Sequence, residues 1–495
     1  MAVPKIMGTE IEYGVIVPND PNFDPISVSL LLVNSYQGDP QRRLLWDYDQ
    51  EEPFMDARGF EIDAEFEPPD DQSNMSINTT LTNGARYYLD HAHPEFSTPE
   101  CTNARDIVRF EKAGERILEV SRVRAEPLLP AGQRILIYKN NSDRKGNSYA
   151  CHENYLMDRN VPFGQIVELF TAFLVTRQIF CGAGKVGAEN GTDPCTYQIS
   201  QRADFFETEV GLDTMVKRPI INTRDEPHAN RDRYRRLHVI VGDSNMSEYS
   251  IYLKMGVTGL VLQMIEDGFI TQDFSLRNPV KAIKDVSRDL SCTQLIELAS
   301  GRQLLPVDLQ REFLHHAQRY VAERGGDEGT RDVLQKWEDI LDRLAADPFS
   351  LRREVDWVAK WHLLTSYMDR RGEDWNSSRV AMMDLQYHDL RPDRGLYSLL
   401  ERQGAVERIL TEQEIVDAIE SPPADTRAYF RGMVLKKFRD QVFGVNWDSL
   451  SFNLGEGPIK RILMEEPLKG TRAHVQGLLE RSNTAAELVA NLSAG

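Results

Sequence analysis

Apolar and polar positions change period several times along the chain. Residues 4–17 (PKIMGTEIEYGVIV) alternate over their middle, which predicts a first strand with Glu10 and Glu12 on one face. Ile11 and Tyr13 take the other face. Residues 26–36 (ISVSLLLVNSY) are apolar enough for a helix or a buried segment. Another strand begins within Gly84–Glu100, with Arg86, Tyr88 and Asp90 on one face and Tyr87, Leu89 and His91 on the other. Helical spacing covers 104–123 and 163–180. Residues 134–140 and 148–156 read as the two strands of a hairpin around the polar turn 141–147, and 194–201 and 234–241 as further strands. From Thr258 to about Leu400 helical periodicity dominates, with amphipathic runs at Leu305–Arg324 and Thr330–Ala346. A charged helical tail over 471–495 follows a stretch punctuated by Pro and Gly, 443–470. Strands early and helices late predict an α+β fold, without an internal repeat.

The pattern fails over 41–80. This insertion holds eleven acidic residues against three Arg, with Pro53, Pro68 and Pro69, so it reads as a solvated loop, disordered in part. A loop of that length beside a polar strand reads functionally as a gate over the site. Its deletion is expected to change turnover and leave the fold intact.

Composition then narrows the classes. A chain of 495 residues with 41% hydrophobic content buries a large core, enough for two domains. A net charge of −19 argues against non-specific binding to nucleic acid or to an anionic membrane, since both are polyanions. The five cysteines are scattered, with no C-x-x-C pair, which favours a reducing compartment and no structural zinc. The N-terminus has no basic-then-apolar signal pattern, and the apolar run Ile166–Phe180 carries Glu168 and Arg177 and is too short to span a bilayer. A cytoplasmic protein is expected.

Four strand candidates each place polar residues two apart on one face: Glu10/Glu12, Arg86/Tyr88/Asp90, His152/Asn154 and Arg236/His238. One such pair is ordinary for a solvent-facing sheet. Four of matched type predict a concave sheet face for a metal–nucleotide complex. Carboxylates and neutral His offer metal ligands, and Arg offers a bidentate phosphate clamp. Two patterns carry less. His91-x-His93 has zinc-ligand spacing, but Pro94 follows and no Cys or His partner lies near, so a turn or a buried His is the plainer reading. Gly182–Gly187 matches G-x-G-x-x-G, but it follows a helical segment and no helix opens after it, so it reads as a turn.

Gly8-Thr-Glu-Ile-Glu-Tyr-Gly14, Arg86-x-Tyr-x-Asp90, His93-Pro-Glu95, His152-Glu-Asn154, Arg236-x-His238 and Gly242-Asp-Ser-Asn-Met-Ser247 together resemble the Pup ligase/depupylase family. The resemblance extends to the Pro458–Arg461 and Met464–Pro467 stretches. It implies a glutamine-synthetase-like fold: a curved, mostly antiparallel sheet backed by helices over 1–425, then a small domain over 426–495. It implies ATP and Mg²⁺ as cofactors, Pup and pupylated proteins as partners, and the proteasomal ATPase as a further partner. Pup is expected to be extended and disordered until it binds.

The family has a ligase branch and a branch that deamidates Pup and hydrolyses its isopeptide bond to lysine. The Gly-Thr-Glu-Ile-Glu motif and the insertion at 41–80 resemble the second, and the ligase is the alternative. A ligase of small amines and a non-catalytic Pup-binding adaptor are the more distant alternatives. By resemblance the metal positions fall on Glu10, Tyr88, Glu95, His152 and His238. Nucleotide contacts fall on Gly8, Thr9, Glu10, Ile11, Glu12, Ser97, Thr98, Asn154 and Arg236. Arg86 joins them as a phosphate clamp and Trp447 beside the nucleotide. Arg202 and Arg224 approach phosphate or the Pup carboxylate. The catalytic carboxylate falls on Asp90, acting as nucleophile or as general base for water.

Overall fold

In a computed structural model, the described residues are 2–37, 44–49, 51–60, 67–214, 216–455 and 457–493. The alternating segments become β1 (Met7–Glu12), β4 (Arg86–Asp90), β6 (Cys151–Asp158) and β7 (Tyr234–Val239), and β2 (Leu45–Trp46), β3 (Asn78–Thr80) and β5 (His93–Ser97) join them. Six of them form one sheet in the order β7-β6-β1-β5-β4-β3, and every pairing is antiparallel. Every second residue of β6 is buried. Met7, Ile11, Tyr87, Phe96, Tyr155 and Leu237 turn their side chains into two apolar clusters on the back of the sheet. The residues between them face the opposite way.

Helices α1 (Pro25–Gln37), α3 (Ala104–Ala125) and α4 (Phe163–Cys181) follow the sequence pattern; α5 (Glu248–Glu266) begins before the expected Thr258, and α2 (Asp71–Ile77) forms where a loop was expected. Asn103 caps α3 through the Asp106 amide, and Ser247 caps α5 through the Ser250 amide. α4 is buried on nearly every side, as its all-round apolar character requires. Its one charged core residue, Arg177, is paired with Glu153 on the back of β6 at 2.5 Å. No helix among the described residues is long and apolar enough to cross a membrane. The five cysteines are free.

Two expectations need correction. Residues 134–140 and 148–156 do not form a hairpin. Leu136–Tyr138 pairs with Gly14–Ile16, because both edges of β6 are already taken by β1 and β7. The insertion is also more ordered than a solvated loop. Residues 41–43, 50 and 61–66 lie outside the described residues. Within the rest, Asp70 caps α2 through the Gln72 and Ser73 amides, and β3 is the edge strand of the main sheet. Deleting 41–80 would therefore cut the sheet.

β2 belongs to a second sheet. With β8 (Val442–Val445), β9 (Ser449–Phe452) and β10 (Lys460–Leu463) it gives the order β10-β9-β8-β2, and β2 runs parallel to β8. A third apolar cluster, from Leu44 and Phe430 to Leu488, packs around this sheet. Glu100 ties it to the main sheet. Its carboxylate accepts from Arg427 at 2.7 Å and from Arg431 at 2.5 Å. Arg431 also donates to the carbonyls of Gly84 and Trp447. Burial favours the neutral acid, but the two guanidiniums prevail and hold Glu100 down to about 2.

Glu100→Gln leaves two buried guanidiniums short of their counter-charge, and we expect a loss of about 3–5 kcal/mol in chemical denaturation at pH 7. The sign follows from the depressed pKa: wild type keeps the advantage above pH 4.5 and loses it as pH falls toward about 2. Denaturation midpoints of the two proteins should converge across that window. A gap that persists at pH 2 would show that charge is not its source.

Candidate active site

The front of the sheet collects the four polar sets. β1 is central, and its register places Glu10 opposite both His152 and Ser97, and Glu12 opposite Glu95. On β4, Tyr88 stands opposite Glu95. On β7, His238 stands opposite Asn154.

Asn154 organises one end. Its amide nitrogen donates to Glu10 at 2.9 Å, so its oxygen is left to accept from Arg236 at 3.1 Å and from His238 Nδ1 at 2.9 Å. His238 therefore carries its proton on Nδ1, and Nε2 presents a lone pair. That Nε2 is buried and has no hydrogen-bond partner. Burial, then His152 and Arg236, hold His238 well below its ordinary pKa, so the ring is neutral. Burial opposes ionisation of Glu10, but the His152 hydrogen bond at 3.2 Å and the Arg236 charge prevail and keep it well below the carboxylate range. Glu10, His152 and His238 bring ligand atoms within 4.8 Å of one another. An orphaned imidazole nitrogen beside an ionised carboxylate fits a divalent cation.

A second group lies at the other end. Glu12, Asp90 and Glu95 also have oxygens within 4.8 Å of one another. Glu95 is buried, and burial, then Asp90 and Glu12, push its carboxyl well up. Asp90 is the open member, with 38% of its side chain exposed against 12% for Glu12. Burial on its inner side works against ionisation, but His91 at 3.1 Å outweighs it and lowers the Asp90 pKa. The same contact raises His91 to about 9. His91 sits in the turn between β4 and β5 with φ of 51°, and its ring lies beside Asp90. The Tyr88 phenol is held neutral by burial, then by Glu95 and Glu10. Of the expected metal positions, Glu10, His152 and His238 form one close group, Glu95 belongs to another with Glu12 and Asp90, and the Tyr88 phenol lies in reach of both Glu95 and Glu10.

A cleft opens beside Glu10. Gly8, Thr9, Glu10, Ser97, Thr98, Asn154, Arg236 and Trp447 all line it. The alternation had picked out Glu10, Asn154 and Arg236; the resemblance supplied Gly8, Thr9, Ser97 and Thr98, and also Trp447, which comes from the loop between β8 and β9. Five of the expected nucleotide or phosphate contacts lie outside. Ile11 is in the core behind the sheet. Glu12 belongs to the carboxylate group. The Arg202 guanidinium donates to the Tyr149 carbonyl at 3.1 Å, and burial, then the nearby Arg218, lower it to about 10. Arg86 is not a free phosphate clamp, because Nε and Nη2 are both engaged by Asn78 at 3.0 and 2.6 Å. Arg224 is paired with Glu226 at 2.7 Å.

The sequence reading missed Glu226, His228 and Arg427. Glu226 stands between Arg224 and Arg236, while His228 and Arg427 line the cleft. The alternation Arg224-x-Glu226-x-His228 was the available signal for two of them.

An antiparallel α+β sheet with a carboxylate–imidazole pair at one end, a carboxylate trio at the other and a cleft alongside defines a site for charged-substrate chemistry. The family described as Pup-ligase protein matches residues 5–451, and the chain belongs to that family. Among curated relatives it is 51% identical over 501 residues to the depupylase of Acidothermus cellulolyticus, covering 99% of each chain. It is 45% identical over 496 residues to the Pup deamidase/depupylase of Mycolicibacterium smegmatis, again over 99% of each. The Pup deamidase/depupylase of Mycobacterium tuberculosis is 45% identical over 501 residues, with the same coverage. Among solved structures, the ligase PafA in complex with Pup superposes with a TM-score of 0.82 at 34% identity, covering 96% of this chain and 92% of that one. PafA in complex with ADP gives 0.75 at 35% identity, covering 88% and 98%.

Mn²⁺ at a hundredfold excess over its Kd should stabilise the wild type by about 2.7 kcal/mol. His238→Ala and Glu10→Gln should each remove most of that gain in a thermal melt. An undiminished gain in both variants would move the cation elsewhere.

Proposed function

We propose that this chain hydrolyses amide bonds on the side chain of Pup's C-terminal residue. It converts the C-terminal Gln to Glu and releases Pup from the lysines of pupylated proteins. The observation that carries this reading is full-length identity of 45–51% to depupylases, against 34–35% to the ligase PafA. The insertion at 41–80 agrees with it. The catalytic unit is residues 1–425 and the smaller unit 426–495, which lends Trp447 to the cleft. The setting is the cytoplasm, where pupylated proteins and the proteasomal ATPase are the partners.

ATP with Mg²⁺ occupies the cleft as a bound cofactor. Gly8, Thr9, Ser97, Thr98, Asn154, Arg236 and Trp447 hold the nucleotide, and Glu10, His152, His238 and Glu95, with Tyr88 adjoining, hold the cations. When bound, the cations polarise the scissile carbonyl and offset the charge of the carboxylates. Asp90 is the catalytic carboxylate. Its lowered pKa keeps it ionised at neutral pH, as attack on the amide carbon requires. One Asp90 oxygen bonds to the amide carbon, the C–N bond breaks, and the nitrogen takes a proton from solvent and leaves as ammonia or lysine amine. Water then opens the resulting anhydride and regenerates Asp90.

Asp90→Asn should lower deamidation and depupylation by at least about 10³-fold while the protein still binds Pup. Activity should survive replacement of ATP by a non-hydrolysable analogue. Formation of a new conjugate from Pup ending in Glu, ATP and a lysine-bearing protein would identify a ligase instead.

A further inference from the structure

Trp46 belongs to the acidic insertion, yet it is only 2% exposed, and nothing in the chemistry above accounts for it. Its indole lies 3.9 Å from the Arg86 guanidinium carbon, and the Tyr88 ring lies 4.0 Å from the same carbon. Two rings that close to one planar cation occupy its two faces. The plane of the cation is fixed in turn by Asn78, which accepts from Nε and Nη2. On its other side the Trp46 indole meets Trp447 edge to face, with centroids 5.3 Å apart and planes at 74°.

The polar groups of Trp46 are also engaged. Nε1 donates to Glu51 at 2.5 Å, and the backbone exchanges hydrogen bonds with the Asn74 side chain at 2.9 and 2.8 Å. Its strand pairs with Val445, and Asn446 donates to the Asp47 carbonyl at 2.5 Å. Trp46 therefore has one packed position, in contact with both neighbours.

We propose that Trp46 is a positioning residue that couples Trp447, the wall of the cleft, to the Tyr88 phenol beside the carboxylate trio, through Arg86. The insertion acts here as a strut between the two sheets. The coupling rests on the nucleotide reading of the cleft. It also gives a role to Arg86, which stands opposite Ser97 but does not itself line the cleft.

The test is calorimetric titration with ATP and Mg²⁺, paired with deamidation kinetics, on wild type, Trp46→Leu, Trp46→Phe, Arg86→Met and the Trp46→Leu/Arg86→Met double variant. Trp46→Leu should raise the ATP Kd about tenfold and also lower kcat at saturating ATP. Trp46→Phe keeps a ring on the guanidinium and should stay within about threefold of wild type. Arg86→Met should weaken ATP although it does not line the cleft. The double variant should be no worse than the worse single one, because both break the same chain of contacts. Additive losses would mean that Arg86 meets phosphate directly, and would overturn the proposal. So would an unchanged Kd in folded Trp46→Leu, where a merely structural role would lower only the thermal midpoint. If Trp46→Leu does not fold, Arg86→Met decides alone, and an unchanged ATP Kd rejects the coupling. Failure of the wild type to bind ATP would instead reject the functional reading.

Discussion

The antiparallel register of β1 against β5 and β6 is the constraint on which the site depends. It sets Glu10 between Ser97 and His152 and brings Glu12 to Glu95. Side chains alternate with a period of two, so a slip of one residue would send Glu10 into the apolar layer and Ile11 into the cleft. That layer prevents the slip. Ile11, Tyr87, Phe96 and Tyr155 are fully buried behind the sheet, and exchanging them for carboxylates would cost far more than the polar face returns. The core thus specifies the chemistry on its opposite side.

The polar face is organised by shared acceptors. Asn154 takes hydrogen bonds from Arg236 and His238 while giving one to Glu10, so a single uncharged amide fixes a carboxylate, a guanidinium and a tautomer. Glu226 plays a similar part for Arg224 and Arg236. The carboxylate trio is different. Three acids this close resist ionising together, so burial, then Asp90 and Glu12, push Glu95 up, while His91 on the solvent side lowers Asp90.

Much of this was legible in the sequence. The period-two segments at 7–12, 86–90, 151–158 and 234–239 gave the strands, and their polar halves gave the face. Alternation says which residues share a face, but not which strands are neighbours. For that reason 134–140 was assigned to the wrong partner, and Arg86 was read as a phosphate clamp when a ring covers each face of its guanidinium. The insertion misled by composition. Its acidic surplus gave no hint that Leu44, Trp46 and Asn74 would be buried. Trp447 could not be derived from periodicity, because a loop residue is placed by the packing of the elements around it.

The pairing of β2 with β8 carries a consequence for handling this protein. β2 covers one rim of the small sheet, and β3 forms one rim of the large one. A rim stripped of its last strand exposes a row of unpaired amides and carbonyls, which invites strand addition from another copy and precipitation. Cutting out 41–80 would bare two rims at once. The insertion is acidic on its exposed parts and sealing on its buried ones, so a shortened version stays soluble only if 44–49 and 71–80 are kept.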